Sequence, residues 1–117
     1  VLALQQSAKL DQIEDTFVQK LFQIIEANYA DETFSLSELC QQIGMSRSQL
    51  LRKMKAVIGS SPSEFIRNFR LEKARQLLEN NEITVAEAAY RSGFKDPSYF
   101  SKVFKRKFGM QPNYLIK

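Results

Sequence analysis

The sequence predicts an all-α fold of about seven helices, arranged as two helix-turn-helix subdomains joined by a central linker helix. Three observations predict it. Apolar residues recur with the helical period along most of the chain. Ser/Thr-x-x-Glu/Gln strings stand at the expected helix starts. One pattern of helix, glycine turn and helix occurs twice.

Phe17, Leu21, Ile24 and Ile25 recur at i, i+4, i+7 and i+8, which predicts an amphipathic helix over roughly Asp15–Asn28. Leu36, Leu39, Cys40 and Ile43 form a second stripe, and Leu50, Met54, Val57 and Ile58 a third. Phe65, Phe69, Ala74, Leu77 and Leu78 line a longer helix from Pro62 to Asn80. Val85, Ala88 and Ala89 mark a short helix; Phe100, Val103, Phe104 and Phe108 mark the next, and a last turn starts at Pro112. The expected organisation is a first subdomain over 15–61, a connecting helix over 62–80 and a second subdomain over 81–117. Residues 1–14 carry the weakest pattern and read as a leading arm or the remnant of a linker.

The helix starts are legible. Ser35-x-x-Glu38, Ser46-x-x-Gln49, Ser61-x-x-Glu64 and Thr84-x-x-Glu87 fit the capping box, in which a hydroxyl and a carboxylate or amide satisfy two otherwise orphan N–H groups. Pro62 and Pro97 stand where the first helical residue lacks a use for its N–H. Gly44, Gly59, Gly93 and Gly109 fall just past or between the stripes.

Ser35–Phe65 aligns with Thr84–Tyr114. Leu36, Leu39, Cys40 and Gly44 match Val85, Ala88, Ala89 and Gly93 at a constant offset. One extra residue then enters the second copy near Asp96-Pro97, after which Leu50, Met54, Ile58, Gly59 and Pro62 match Phe100, Phe104, Phe108, Gly109 and Pro112.

Composition narrows the function classes. The chain has 117 residues, no histidine, no tryptophan and one cysteine, Cys40, so it has no internal disulfide, no Cys-His or Ser-His-Asp constellation and few routes to a zinc site. Cys40 reads as a small hydrophobe in an apolar stripe. No glycine pattern cradles phosphate, and no cofactor or enzymatic activity is expected. No apolar run approaches a membrane span, and Val1–Leu4 is too short for a signal-peptide core, so the expected location is cytoplasmic.

The net charge of +4 is unevenly distributed. Ser46–Ile58 and Lys95–Lys107 together hold Arg47, Arg52, Lys53, Lys55, Lys95, Lys102, Lys105, Arg106 and Lys107 but a single acid, Asp96. In each repeat the basic residues fall in the second helix, opposite its apolar stripe. Arg47, Ser48, Arg52 and Lys55 oppose Leu50, Met54 and Val57; Ser98, Tyr99, Lys102, Lys105 and Arg106 oppose Phe100, Val103, Phe104 and Phe108. Charge alone leaves two readings open, a polyanion partner or two solvated faces. The repeated placement favours sequence-specific double-stranded DNA, because these side chains reach base edges and phosphates. The alternative is a protein-binding helical module whose basic faces meet an acidic partner. A connecting helix of about 18 residues spans ~27 Å, and with its flanking turns sets the two second helices about one DNA turn, ~34 Å, apart.

The strings FSLSELCQQIGMSRSQLLRKMKAVIGSSPSEFIRNFRLEKARQLL and VAEAAYRSGFKDPSYFSKVFKRKFGMQP resemble the AraC/XylS DNA-binding domain over about Asp15–Leu115. The MSRSQLLRK and SPSEFIR wording is similar to versions fused to receiver domains in hybrid two-component regulators. The resemblance implies a bacterial transcription regulator's output domain, with base contacts from Ser48, Leu51, Arg52, Ser98, Tyr99 and Lys102. Phosphate contacts would come from Arg47, Lys53, Lys55, Ser101, Lys105 and Arg106. Leu51 stands where a polar reader is often found, and either touches a thymine methyl or packs. Tyr99 either reads a base or braces the second subdomain. Phe94 and Phe100 read as core, and Asp96 as a helix cap. The implied partners are double-stranded DNA, RNA polymerase and the remainder of a longer regulator carrying a sensor or receiver domain, with dimerisation through regions outside this chain. No sensor is visible in the sequence itself.

Overall fold

The computed structural model describes the backbone of residues 2–116 and the side chains of residues 15–116. Six α-helices and one 3-10 turn follow in order: α1 (Leu2–Asn28), α2 (Leu36–Ile43), α3 (Arg47–Val57), α4 (Pro62–Asn80), α5 (Val85–Arg91), α6 (Pro97–Phe108) and the closing turn Pro112–Leu115. The expected all-α architecture is therefore present, with α2–α3 and α5–α6 as its two helix-turn-helix pairs. The stripe Phe17, Leu21, Ile24 and Ile25 is buried on the C-terminal half of α1, whose backbone is already helical from Leu2.

Each predicted cap forms, though not always in full. Ser35, Ser46, Ser61 and Thr84 accept from the backbone N–H of Glu38, Gln49, Glu64 and Glu87, and Asp96 Oδ1 accepts from Ser98 at 2.9 Å. Only Ser46 has the reciprocal half of the box among these described starts, its N–H donating to Gln49 Oε1 at 3.0 Å. Ser46→Ala is expected to lower stability by about 1 kcal/mol and Ser46→Gly by only a few tenths, read as the shift in a urea unfolding midpoint.

Two separate cores flank α4. The first gathers Phe17, Leu21, Ile24, Ile25, Phe34, Leu39, Ile43, Leu50, Met54 and Ile66. The second gathers Leu71, Ala74, Leu78, Ala88, Ala89, Phe94, Phe100, Val103 and Phe104. At ~100° per residue, Phe65, Ile66 and Phe69 lie on a side of α4 nearly opposite to Leu71, Ala74 and Leu78. This explains where the sequence reading of α4 slipped. A single stripe was expected, but the helix serves two cores. Ile66 and Leu71 take buried places, while Phe65, Phe69 and Leu77 are half-buried. Cys40 is also half-buried against the first core.

The two units touch directly beside α4. Arg70 of α4 donates from Nε to the Tyr29 carbonyl and from Nη2 to the Asp31 carbonyl, both at 2.9 Å. The buried Gly93, in the α5–α6 turn, packs so closely on the same Tyr29 carbonyl that a Cβ there would overlap it. Burial pushes the Arg70 guanidinium pKa down, and the nearby Asp31 carboxylate opposes that shift. Asp31 is in turn held below the ordinary carboxylate range by the Thr33 hydroxyl, which donates to it at 2.7 Å, and by the Thr33 backbone N–H. Lys73 adds an ion pair from α4 to Glu26 of α1 at 2.9 Å.

Candidate nucleic-acid interface

The second helix of each pair is fixed from below and bare above. Leu50 and Met54 anchor α3 in the first core; Phe100, Val103 and Phe104 anchor α6 in the second. The aromatic anchoring of α6 is continuous, with Phe94–Phe100, Phe100–Phe104 and Phe104–Phe108 ring centroids 5.0, 5.5 and 4.6 Å apart. Phe94 and Phe100 are thus core residues, as the sequence implied.

The opposite faces carry the candidate contacts. On α3, Arg47, Ser48, Arg52 and Lys55 are exposed, and so is Leu51 at 39% of its free surface, which leaves its methyl groups available to a partner. Lys53 is half-buried, its ammonium 4.8 Å from the centre of the Phe17 ring, so it sits at the flank of this face. On α6, Ser98, Lys102, Lys105 and Arg106 are exposed and Ser101 is half-buried. Tyr99 is 46% exposed with its ring 6.5 Å from that of Phe94, so it braces the turn on one side and presents its other side outward.

Pairing separates these cations from three of the four on the linker, Arg67 being the fourth. On α4, Arg70 is bound to carbonyls, Lys73 to Glu26, and Arg75 to Glu72 and Glu79 at 2.8 and 3.3 Å. Glu72 holds the Arg75 charge by hydrogen bond and by attraction, raising its pKa. Lys107, also on α6, reaches toward Glu72 at 4.0 Å. No hydrogen bond or ion pair engages Arg47, Arg52, Lys55, Lys102, Lys105 or Arg106 among the described residues. The paired acids thus engage linker cations, and the two outward helices are left positive. The last turn of α6, with Lys105, Arg106 and Lys107, also complements the negative end of the helix dipole.

Sequence reasoning missed Arg70 and the second duty of Gly93. Gly93 was legible as a turn residue from its place past the α5 stripe, and its φ of +89° agrees. Its approach to Tyr29 depends on residues 64 positions away and leaves no local signature. No group of three or more His, Cys, Asp and Glu suited to a metal occurs among the described residues. No described helix is long and apolar enough to cross a membrane.

This geometry defines a protein of two helix-turn-helix units with outward basic second helices. The family model of a helix-turn-helix domain matches residues 39–117, more than half of the chain. The chain is 41% identical over 104 residues to histidine kinase P4 of Formosa agariphila, covering 89% of itself and 8% of the kinase. It is 32% identical over 114 residues to the HTH-type transcriptional activator RhaS of Escherichia coli, covering 96% of itself and 41% of RhaS. Among solved structures, the C-terminal domain of the two-component response regulator yesN from Fusobacterium nucleatum is 31% identical with a TM-score of 0.76, over 83% of this chain and 94% of that one. The DNA-binding domain of AdpA, solved in complex with a target DNA, is 26% identical with a TM-score of 0.76, over 84% and 86% of the two chains. The chain belongs to the AraC/XylS-type helix-turn-helix family. It spans less than half the length of these curated relatives.

Proposed function

We propose that this chain is the sequence-specific, double-stranded-DNA-binding output domain of a bacterial transcription regulator, with α3 and α6 entering adjacent major grooves on one side of the duplex. The observation that carries this reading is the set of uncommitted cations on two matching helices, held at the two ends of one 19-residue helix. That helix is about 28 Å long at ~1.5 Å per residue, close to the ~34 Å between successive major-groove faces once the flanking turns are added. AraC/XylS membership supports DNA as the partner, and a relative solved on its target DNA shares the fold. The kinase and response-regulator relatives support a parent protein that senses a signal elsewhere and delivers it to this domain. RNA polymerase and a second copy of the parent are the further partners this role calls for.

In this reading Ser48, Leu51, Arg52, Ser98, Tyr99 and Lys102 face base edges. Arg47, Lys53, Lys55, Ser101, Lys105 and Arg106 hold the backbone. Arg52 is the candidate for bidentate contact to guanine, worth roughly 1–3 kcal/mol of discrimination. Arg52→Ala is therefore expected to relax preference at one base pair in an in vitro site selection. Lys105→Ala should instead weaken all sequences alike and reduce the slope of log K against log salt by about 0.9. If labelled duplex, tRNA and heparin compete equally for the chain at every salt concentration, the sequence-specific reading is wrong, and generic polyanion or acidic-protein binding replaces it.

A further inference from the structure

We infer that Arg70 is a positioning residue that fixes how α3 and α6 are separated and rotated, and hence which half-site spacing the domain accepts; this rests on the two-groove reading above. The linker helix alone is a poor ruler. It sets a distance, but each unit is fastened to it by its own core, on nearly opposite faces. A small roll of one unit relative to the other, taken up by twist within α4, would leave both cores filled and still re-aim one recognition helix.

The contact that opposes this roll lies off the helix axis. Arg70 spans two carbonyls, of Tyr29 and Asp31, with two bonds of 2.9 Å from one planar group. A guanidinium bonded through two nitrogens has little torsional freedom left. Gly93 closes on the Tyr29 carbonyl from the other unit, within reach of Arg70 itself: a Cβ on Gly93 would stand 2.7 Å from Arg70 Nε. Both ends of this bracket lead into the reading heads. Tyr29–Asp31 precede Phe34 of the first core and Ser35, the α2 cap. Gly93 stands three residues before Asp96, the cap of α6. A shift at the bracket is thus transmitted to both helix-turn-helix pairs. The stakes are set by B-DNA, where one base pair changes half-site separation by ~3.4 Å and relative rotation by ~35°.

The test uses the site selected by the wild-type chain, with one base pair added or removed between its half-sites. Wild type is expected to lose at least about tenfold in affinity on either change, because the second helix can no longer engage. In Arg70→Met that penalty should shrink to within about threefold, while affinity for a duplex carrying only the α3 half-site stays unchanged. Arg70→Lys, which keeps a cation but lacks the planar pair of donors, should move the same way and is the gentler variant if Arg70→Met folds poorly. A second readout needs no DNA. Spin labels at Ser48→Cys and Lys102→Cys in a Cys40→Ser background should give a broader distance distribution with Arg70→Lys than without it. Wild-type spacing penalties and an unbroadened distribution in the variants would overturn the inference and leave the DNA-binding reading intact. A wild-type chain that binds a lone half-site as tightly as the full site would instead overturn the two-groove reading itself.

Discussion

Gly93→Ala is expected to destabilise the protein by about 2–4 kcal/mol, far more than the same change at Gly44. The two glycines occupy equivalent places in the repeat, each in the turn between the paired helices. Both have positive φ, +75° at Gly44 and +89° at Gly93, so alanine at either pays for a left-handed backbone, about 1 kcal/mol. They differ in what lies outside. Nothing stands within 4 Å of a Cβ on Gly44, whereas one on Gly93 would overlap the Tyr29 carbonyl and crowd Arg70. A backbone carbonyl cannot swing aside as a flexible side chain does. The second unit must back away from the first, or the α5–α6 turn must distort. Urea unfolding of the two variants measures both costs, and their difference isolates the contact between units. Equal destabilisation at Gly44 and Gly93 would show that the contact contributes nothing.

Phe100→Ala is expected to cost about 3–5 kcal/mol, the range for emptying a buried phenyl site that its surroundings cannot refill. Phe100 is fully buried, in edge-on and tilted ring contact with Phe94 and Phe104, and roots the recognition face of α6 from beneath. Its repeat counterpart Leu50 is equally buried in the other core. The loss is large against the roughly 5–15 kcal/mol that holds a domain of this size together. Because the cores share no buried residue, the damage should concentrate in α5, α6 and the closing turn. Hydrogen exchange is the measurement: amides of α5 and α6 should lose protection while those of α2 and α3 keep theirs. Uniform loss across both units would mean that they unfold as one cooperative body.

Much of this architecture is legible in the sequence, because helices advertise themselves locally. Ser46 with Gln49, Pro62 after Ser61, and the stripe Phe100, Val103, Phe104 each state a start or a buried face within a few residues. The duplication adds a second, independent copy of the same statement, which is why α5 is recognisable despite its seven residues. The outward basic faces follow from the same periodicity, since Arg52 and Lys102 can only lie opposite Leu50 and Phe100. What the sequence hides is how the units meet. The two-sided character of α4 blurs its stripe, so Ile66 and Leu71 pass unnoticed beside the more conspicuous Phe65 and Phe69. Arg70 looks like any linker cation until the Tyr29 and Asp31 carbonyls are brought beside it. The inward lean of Lys53 over Phe17 likewise depends on α1, which is distant in sequence from α3.

The opposite-faced attachment of the two cores to α4 has a consequence for how such chains can diverge. Neither half constrains the interior of the other, so each can drift, or be exchanged between relatives, as a self-contained cassette. A crossover placed in the middle of α4 would transplant one reading head without disturbing the packing of its neighbour. Arg70 sits at that seam. A hybrid that inherits it from one parent and the residue 29–31 loop from another need not keep its two heads in step, so the arginine marks where free recombination of the halves stops.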